Sequence, residues 1–117
     1  MSSINRIDVG ARMSQAVVHG NTAYVSGQVA LDAGGESVTA QTKNILDRID
    51  ALLAKAGTDK TNVLSASIWL ADIATFNEMN AVWDEWVAKD CAPARATVES
   101  KLAAPQFTVE IAVIAAL

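Results

Sequence analysis

Polar and apolar residues alternate with a period of two over the first third of the chain, then change to a helical period near residue 40. Asn5–Val9 alternates, and the β-rich runs Ala16–His19 and Thr22–Ser26 flank Gly20-Asn21, a pair suited to a hairpin turn. DAGGES, at 32–37, predicts a loop whose paired glycines are free to take positive φ. Between 37 and 57, Ile45, Leu46, Ile49, Leu52, Leu53 and Ala56 form one helical stripe. Lys43, Asp47, Arg48, Asp50 and Lys55 fall mainly on the other face. Ser37 or Thr39 suits the start of this helix, and Gly57 suits the position just past its end. VLSASIWLA, at 63–71, alternates again and predicts a strand. A second helix is expected next, with Thr75 and Glu78 spaced as a capping box and Phe76, Met79, Val82, Trp83, Trp86 and Val87 as its stripe. Pro93 stops it, and ATVES (96–100) and TVEIAVIAAL (108–117) supply two more strands. The order β-β-β-α-β-α-β-β predicts an α+β fold, one mixed sheet of about six strands with both helices on a single face.

Size and composition narrow the picture. With 117 residues the chain, 1–117, is a single domain without room for a second core. Apolar residues make up 51% of it, more than a small monomer can hide, so part of this surface is expected in a subunit interface. The net charge of −4 and the absence of any Lys/Arg-rich block work against nucleic acid, whose phosphates require clustered cations. Cys91 and His19 are the only residues of their types, which excludes an intramolecular disulfide and a metal site built from Cys and His. MSSINRIDVG lacks the basic and apolar regions of a signal peptide, and no apolar run is long enough to span a bilayer. The expectation is a cytoplasmic protein without nucleic-acid or membrane partners.

Candidate chemistry is confined to a few polar residues. Arg95, in APARATVE, follows Pro93 where a loop meets a strand, and its rigid fork fits a carboxylate or phosphate two-handed. Arg95, Thr97 and Glu99 point one way there, Ala96 and Val98 the other. A solvated edge arginine and an anion clamp both remain open. Glu110 is the only charged residue of the last strand. It shares a side with Thr108, Ala112 and Ile114, and its carboxylate has two readings: a structural ion pair, or a proton-handling group in a dry pocket. Ser26-Gly27-Gln28 reads as a strand's exit turn or as a place where a ligand approaches the backbone closely. Asn80 lies among Phe76, Met79 and Trp83, where an amide commonly ties down a loop. No GxGxxG, phosphate-loop or GxSxG pattern occurs, and neither His19 nor Cys91 has sequence support for a triad or an activated thiol.

These residues also carry a family likeness. RMSQAVVHGNTAYVSGQ (12–28), FNEMNAVWDEW and APARATVE followed by VEIAVIAA resemble, in that order, the opening block, second helix and closing signature of the Rid family of reactive intermediate deaminases, also called YjgF. The likeness runs from about Ile7 to Ala115, and VVHG, WLAD and MNAVWDEWV resemble a YoaB-like branch.

The resemblance implies a chorismate-mutase-like fold and a homotrimer with clefts between subunits. It implies hydrolysis of 2-imino or 2-enamino acids, such as 2-iminopropanoate, to 2-oxo acids and ammonia without metal or organic cofactor. Arg95 would grip the substrate carboxylate, Glu110 would position or activate water, and Ser26, Gly27 and Asn80 would line the cleft. Two departures stand out. Met13 occupies the place of a common tyrosine, with Arg12 in place of a preceding proline, so the phenol's hydrogen bond is missing. Thr97 replaces a common cysteine and keeps a hydrogen-bonding group. The alternative within the family is a non-catalytic binder of small carboxylates; ribonuclease or translation-inhibitor activity sits poorly with the acidic charge.

Overall fold

The alternating segments become strands because each carries an apolar face that a helix layer can cover. A computed structural model describes residues 3–117; Met1 and Ser2, at the start of MSSINRIDVG, lie outside the described residues. The strands are β1 (Ile4–Val9), β2 (Ser14–His19), β3 (Thr22–Val29), β4 (Val63–Leu70), β5 (Ala94–Glu99) and β6 (Val109–Ala116). The helices are α1 (Val38–Ala56) and α2 (Phe76–Trp86). The strands form one mixed sheet in the order β1-β2-β3-β6-β4-β5, antiparallel throughout except for the parallel pair β4–β5. The expected α+β architecture and element order are those observed.

The last strand lies in the middle. Val109, Ile111, Val113 and Ala115 of β6 face the helices and are almost wholly buried, beside Ala66, Ile68 and Leu70 of β4 and Ala23 and Val25 of β3. From α1, Ile45, Leu46, Ile49, Leu52 and Leu53 complete this core. Ser37 is the N-cap, its Oγ accepting from the Ala40 N–H at 3.1 Å. Gly57, at φ 90°, closes the other end with Gly57 N–H to the Ala54 carbonyl and Thr58 N–H to the Leu53 carbonyl.

The second helix begins differently from expectation. Asp72 caps a 3₁₀ turn, Ile73–Thr75, which runs directly into α2. Thr75, at φ −87° and ψ 8°, is already curled, so its hydroxyl donates back to the Asp72 carbonyl and caps nothing. Glu78 is therefore released from the predicted capping box. It accepts from the backbone N–H and the hydroxyl of Thr39 (2.9 and 3.0 Å), joining the two helices. Trp86 makes a second link, donating its indole N–H to Asp50 at 3.0 Å. Met79, Val82, Trp83 and Trp86 are buried as expected, whereas Phe76 is partly exposed.

A further departure concerns residues 26–28. They are not an exit turn, because β3 continues to Val29. Val25 pairs with Val113 and Gln28 with Ile111, so Ser26 and Gly27 together oppose Ala112 in a bulge. The bulge reverses the side-chain phase, and Gln28 turns into the core at 2% exposure.

Helices cover only one face of the sheet. On the open face Tyr24 pairs with Ile114 and Ile114 with Ser65, while Glu110 pairs with Trp69 and Trp69 with Val98. Tyr24, Ile114, Leu64 and Val98 are all exposed, an unusual concentration for a sheet surface. No helix among the described residues is long and apolar enough to cross a membrane.

Buried Gln41 ties the helix layer to the loop before β6. Its amide donates to the Glu36 and Gln106 carbonyls, both at 3.0 Å, and accepts from the Thr108 N–H at 2.9 Å. Gln41→Leu removes the partner of the Glu36 carbonyl and the Thr108 N–H, leaving the Gln106 carbonyl to the Gly35 N–H alone, and is expected to lower stability by about 1–3 kcal/mol, as measured by urea denaturation.

Candidate functional site

The residues singled out from sequence fall into two clusters on opposite faces of the sheet. Arg95 pairs with Ala66 and Thr97 with Ile68, and both β4 partners point into the helix layer. Arg95 and Thr97 therefore share that face at the outer edge of the sheet. Above them α2 presents Phe76, Asn80 and Trp83, spaced to line one side of a helix. The guanidinium carbon of Arg95 lies 5.2 Å from the centre of the Trp83 ring and 5.8 Å from that of Phe76. Stacking on two rings restrains the cation while leaving its N–H edges available for a ligand. The Lys55–Asp8 pair is the one ion pair among the described residues, so Arg95 makes none within its own chain.

Next to this cation are two oxygens that the fold leaves unsatisfied. Asn80 Oδ1 and Thr97 Oγ1 are buried without a hydrogen-bond partner. Leaving such an atom unpaired costs about 1–3 kcal/mol, and a native structure seldom keeps one unless a ligand, water or partner answers it. Asn80 does not tie down a loop.

Glu110 belongs to the other face. It pairs with Val29 on β3 and Trp69 on β4, and its carboxylate lies over Gly27, diagonal to it across the bulge. A Cβ at Gly27 would overlap that carboxylate, which gives the glycine a steric reason independent of backbone conformation. Glu110 has no ion pair, so the structural-pair reading does not hold within the chain. Burial raises its carboxyl pKa above the ordinary glutamate value. The folded chain thus favours the protonated form: the contribution to stability is full below the ordinary pKa and is lost as pH rises through the raised one.

Ser26 is less available than its position suggests. Its hydroxyl donates to the Gln15 carbonyl at 3.1 Å and accepts from Gln28 Nε2 at 3.2 Å. Met13 is 47% exposed at the rim of a crevice whose wall includes Gly27. Cys91 is a free, half-buried thiol in the loop before β5. Among the described residues no group of His, Cys, Asp and Glu is placed to hold a metal.

Within one chain Arg95 and Glu110 do not meet. β4 separates their strands, a lateral offset of about 10 Å at the usual strand spacing, and the sheet itself lies between the side chains. The Arg95 cluster can hold a small anion against aromatic rings; the Glu110 cluster can exchange a proton above an open patch of backbone. Sequence reasoning gave no role to Gln15, to Arg48 or to the Gln28 side chain, which form a hydrogen-bonded group beside Gly27. Their signal was a glutamine in a β-rich run, but simple alternation assigns Gln28 to the outer face and hides it.

Comparison with known proteins finds relatives along nearly the whole chain. The family model described as endoribonuclease L-PSP matches residues 3–117. A RutC family protein of Haemophilus influenzae is 47% identical over 113 residues, covering 97% of each chain. The RutC family protein YoaB of Escherichia coli is 45% identical over 116 residues, covering 98% of this chain and 99% of that one. The crystal structure of NMB1025, a YjgF family member from Neisseria meningitidis, superposes with a TM-score of 0.94 at 42% identity, over 97% of this chain and 94% of its own. With fold and sequence matching along nearly its whole length, the chain belongs to the Rid (YjgF, endoribonuclease L-PSP) family and to its YoaB-like branch.

Proposed function

We propose that this protein hydrolyses small 2-imino acids to 2-oxo acids and ammonia, in clefts shared between copies of the chain. The observation that carries this reading is the Arg95 guanidinium. It is restrained against Trp83 and Phe76, has no anion of its own, and sits beside the unpartnered oxygens of Asn80 and Thr97. A 2-imino acid answers all three groups. Its carboxylate takes the fork, and its protonated imine nitrogen offers one N–H to each of the two waiting oxygens.

The chemistry then needs one proton carrier. With the imine nitrogen protonated, Glu110 takes a proton from water as the water oxygen bonds to C2, giving a neutral tetrahedral carbinolamine. The same carboxyl returns that proton to the nitrogen. As the C2–N bond breaks and ammonia leaves, the hydroxyl proton passes to Glu110 and from there to the departing ammonia, leaving the 2-oxo acid. A pKa raised by burial keeps this carboxyl closer to neutrality, where it can both accept and donate. Acid–base assistance of this kind is worth about 10²–10⁴-fold, and fixing C2 by Arg95 supplies the rest.

The two clusters require a second copy. The open sheet face, with Tyr24, Leu64, Val98 and Ile114 exposed, supports self-association. A homotrimer that packs these faces together would carry Arg95 of one protomer to Glu110 of the next. A ribonuclease reading has less support: the chain carries a net charge of −4, and no basic stripe accompanies its aromatic residues.

Sedimentation velocity should give three times the 12.3 kDa chain mass, and Ile114→Lys should reduce it to one; a wild-type monomer at micromolar concentration would rule out the shared cleft. Arg95→Ala is expected to lower conversion of 2-iminopropanoate, generated by a coupled lyase, by about a hundredfold or more while the assembly persists. Unchanged oxo-acid release would refute the assignment. In wild type the acid limb of kcat/KM should fall above the ordinary glutamate pKa, because activity is lost as the raised Glu110 carboxylate is protonated. That limb should vanish in Glu110→Gln, together with most of the rate.

A further inference from the structure

The crevice beside Gly27 contains a cation that imine hydrolysis itself does not require. β2 and β3 pair from His19 with Thr22 to Ala16 with Val25 and no further, whereas β3 stays paired with β6 as far as Val29 and Glu110. Past Val25 the first two strands part. The bond from Ser26 Oγ to the Gln15 carbonyl stands where the next backbone rung would be. The gap is a crevice of about 190 Å³ lined by Met13, Gln15, Gly27, Gln28, Leu31 and Arg48.

Arg48 enters this gap from α1, half-buried. Its Nε–H donates to Gln28 Oε1 at 3.3 Å. Gln28 is itself held, its Nε2 donating to Gln15 Oε1 at 3.0 Å and to the carbonyl and hydroxyl oxygens of Ser26. Arginine has no acceptor, so the amide must present its oxygen to Nε, and the buried network orients the guanidinium. The terminal amino groups of Arg48 have no hydrogen-bond or ion-pair partner among the described residues. Asp8, which borders a neighbouring groove with Arg48, is engaged by Lys55 at 2.8 Å. Arg48 is thus an oriented, half-buried cation without an anion, in the same crevice as the glycine beneath Glu110.

We propose that Arg48 is a specificity residue that binds a distal carboxylate, making 2-imino dicarboxylates the preferred substrate class. This inference rests on the hydrolysis reading. With the first carboxylate on Arg95 of a neighbouring copy and C2 near Glu110, the substrate's side chain leads into the gap floored by Gly27. Met13 and Leu31, 47% and 60% exposed at its mouth, suit methylene groups. The guanidinium beyond them suits a second carboxylate held two-handed. A monocarboxylic imine would leave that cation unmatched.

Isothermal titration of the assembled protein with two stable product acids, 2-oxoglutarate and 2-oxobutanoate, tests the proposal. Wild type should bind the dicarboxylate roughly tenfold more tightly or better. Arg48→Gln should bring the affinity ratio close to one, and Arg48→Lys should restore part of it. The proposal is overturned if wild type fails to bind 2-oxoglutarate or shows no preference for it. It is likewise overturned if the preference survives Arg48→Gln, or if both affinities fall in parallel as for a merely structural residue. Arg95→Ala separates the two ideas. Binding of both acids by that variant at wild-type strength defeats the hydrolysis reading, whereas a ratio insensitive to Arg48 with binding lost in Arg95→Ala defeats only the present one.

Discussion

One extra residue in β3 controls the geometry of half the candidate site. Because Ser26 and Gly27 together oppose Ala112, the strand changes phase in mid-course. Gly27 then lies beneath the Glu110 carboxylate, where any side chain would collide. Gln28 turns inward to hold Gln15 and Arg48. The ladder between β2 and β3 stops at the same point, and the crevice opens there. Without the bulge, Gln28 would fall on the outer face and Gly27 would turn away from Glu110.

The sheet also acts as a partition. Its helix-covered face holds Arg95 against Trp83 and Phe76, and its open face carries Glu110 among apolar neighbours. Two groups fixed on opposite sides of one rigid layer cannot approach within a subunit. The proposed self-association would resolve this problem and the exposed apolar surface together, since packing that covers Tyr24 and Ile114 would supply the missing half of a cleft.

Local satisfaction has been given up in several places. Asn80 Oδ1, Thr97 Oγ1 and the terminal amino groups of Arg48 have no partner in the folded chain, and Glu110 is kept partly out of water. Each raises the free energy of the unliganded protein. Thr108 Oγ1 is likewise buried without a partner, whereas nearby Gln41 satisfies three backbone groups at once. Asn80 Oδ1 and Thr97 Oγ1 lie on the Arg95 side of the sheet, where a small polar ligand would complete them.

Periodicity along the chain determined the element order, the helix stripe from Ile45 to Leu53, the cap at Gly57 and the facing of Arg95 and Thr97, because each depends on contacts within a few residues. Motif spacing likewise identified Arg95, Glu110, Gly27 and Asn80 as the polar residues worth watching. Long-range packing decided the remainder. The apparent capping box failed because a 3₁₀ turn had already curled Thr75, which freed Glu78 for Thr39 on the other helix. The bulge hid Gln28, and with it the orientation of Arg48. That Arg95 and Glu110 stand back to back follows from strand order and face, which emerge only when β6 inserts between β3 and β4. Local spacing sets which way a side chain points along its own strand; what it meets there depends on segments tens of residues away.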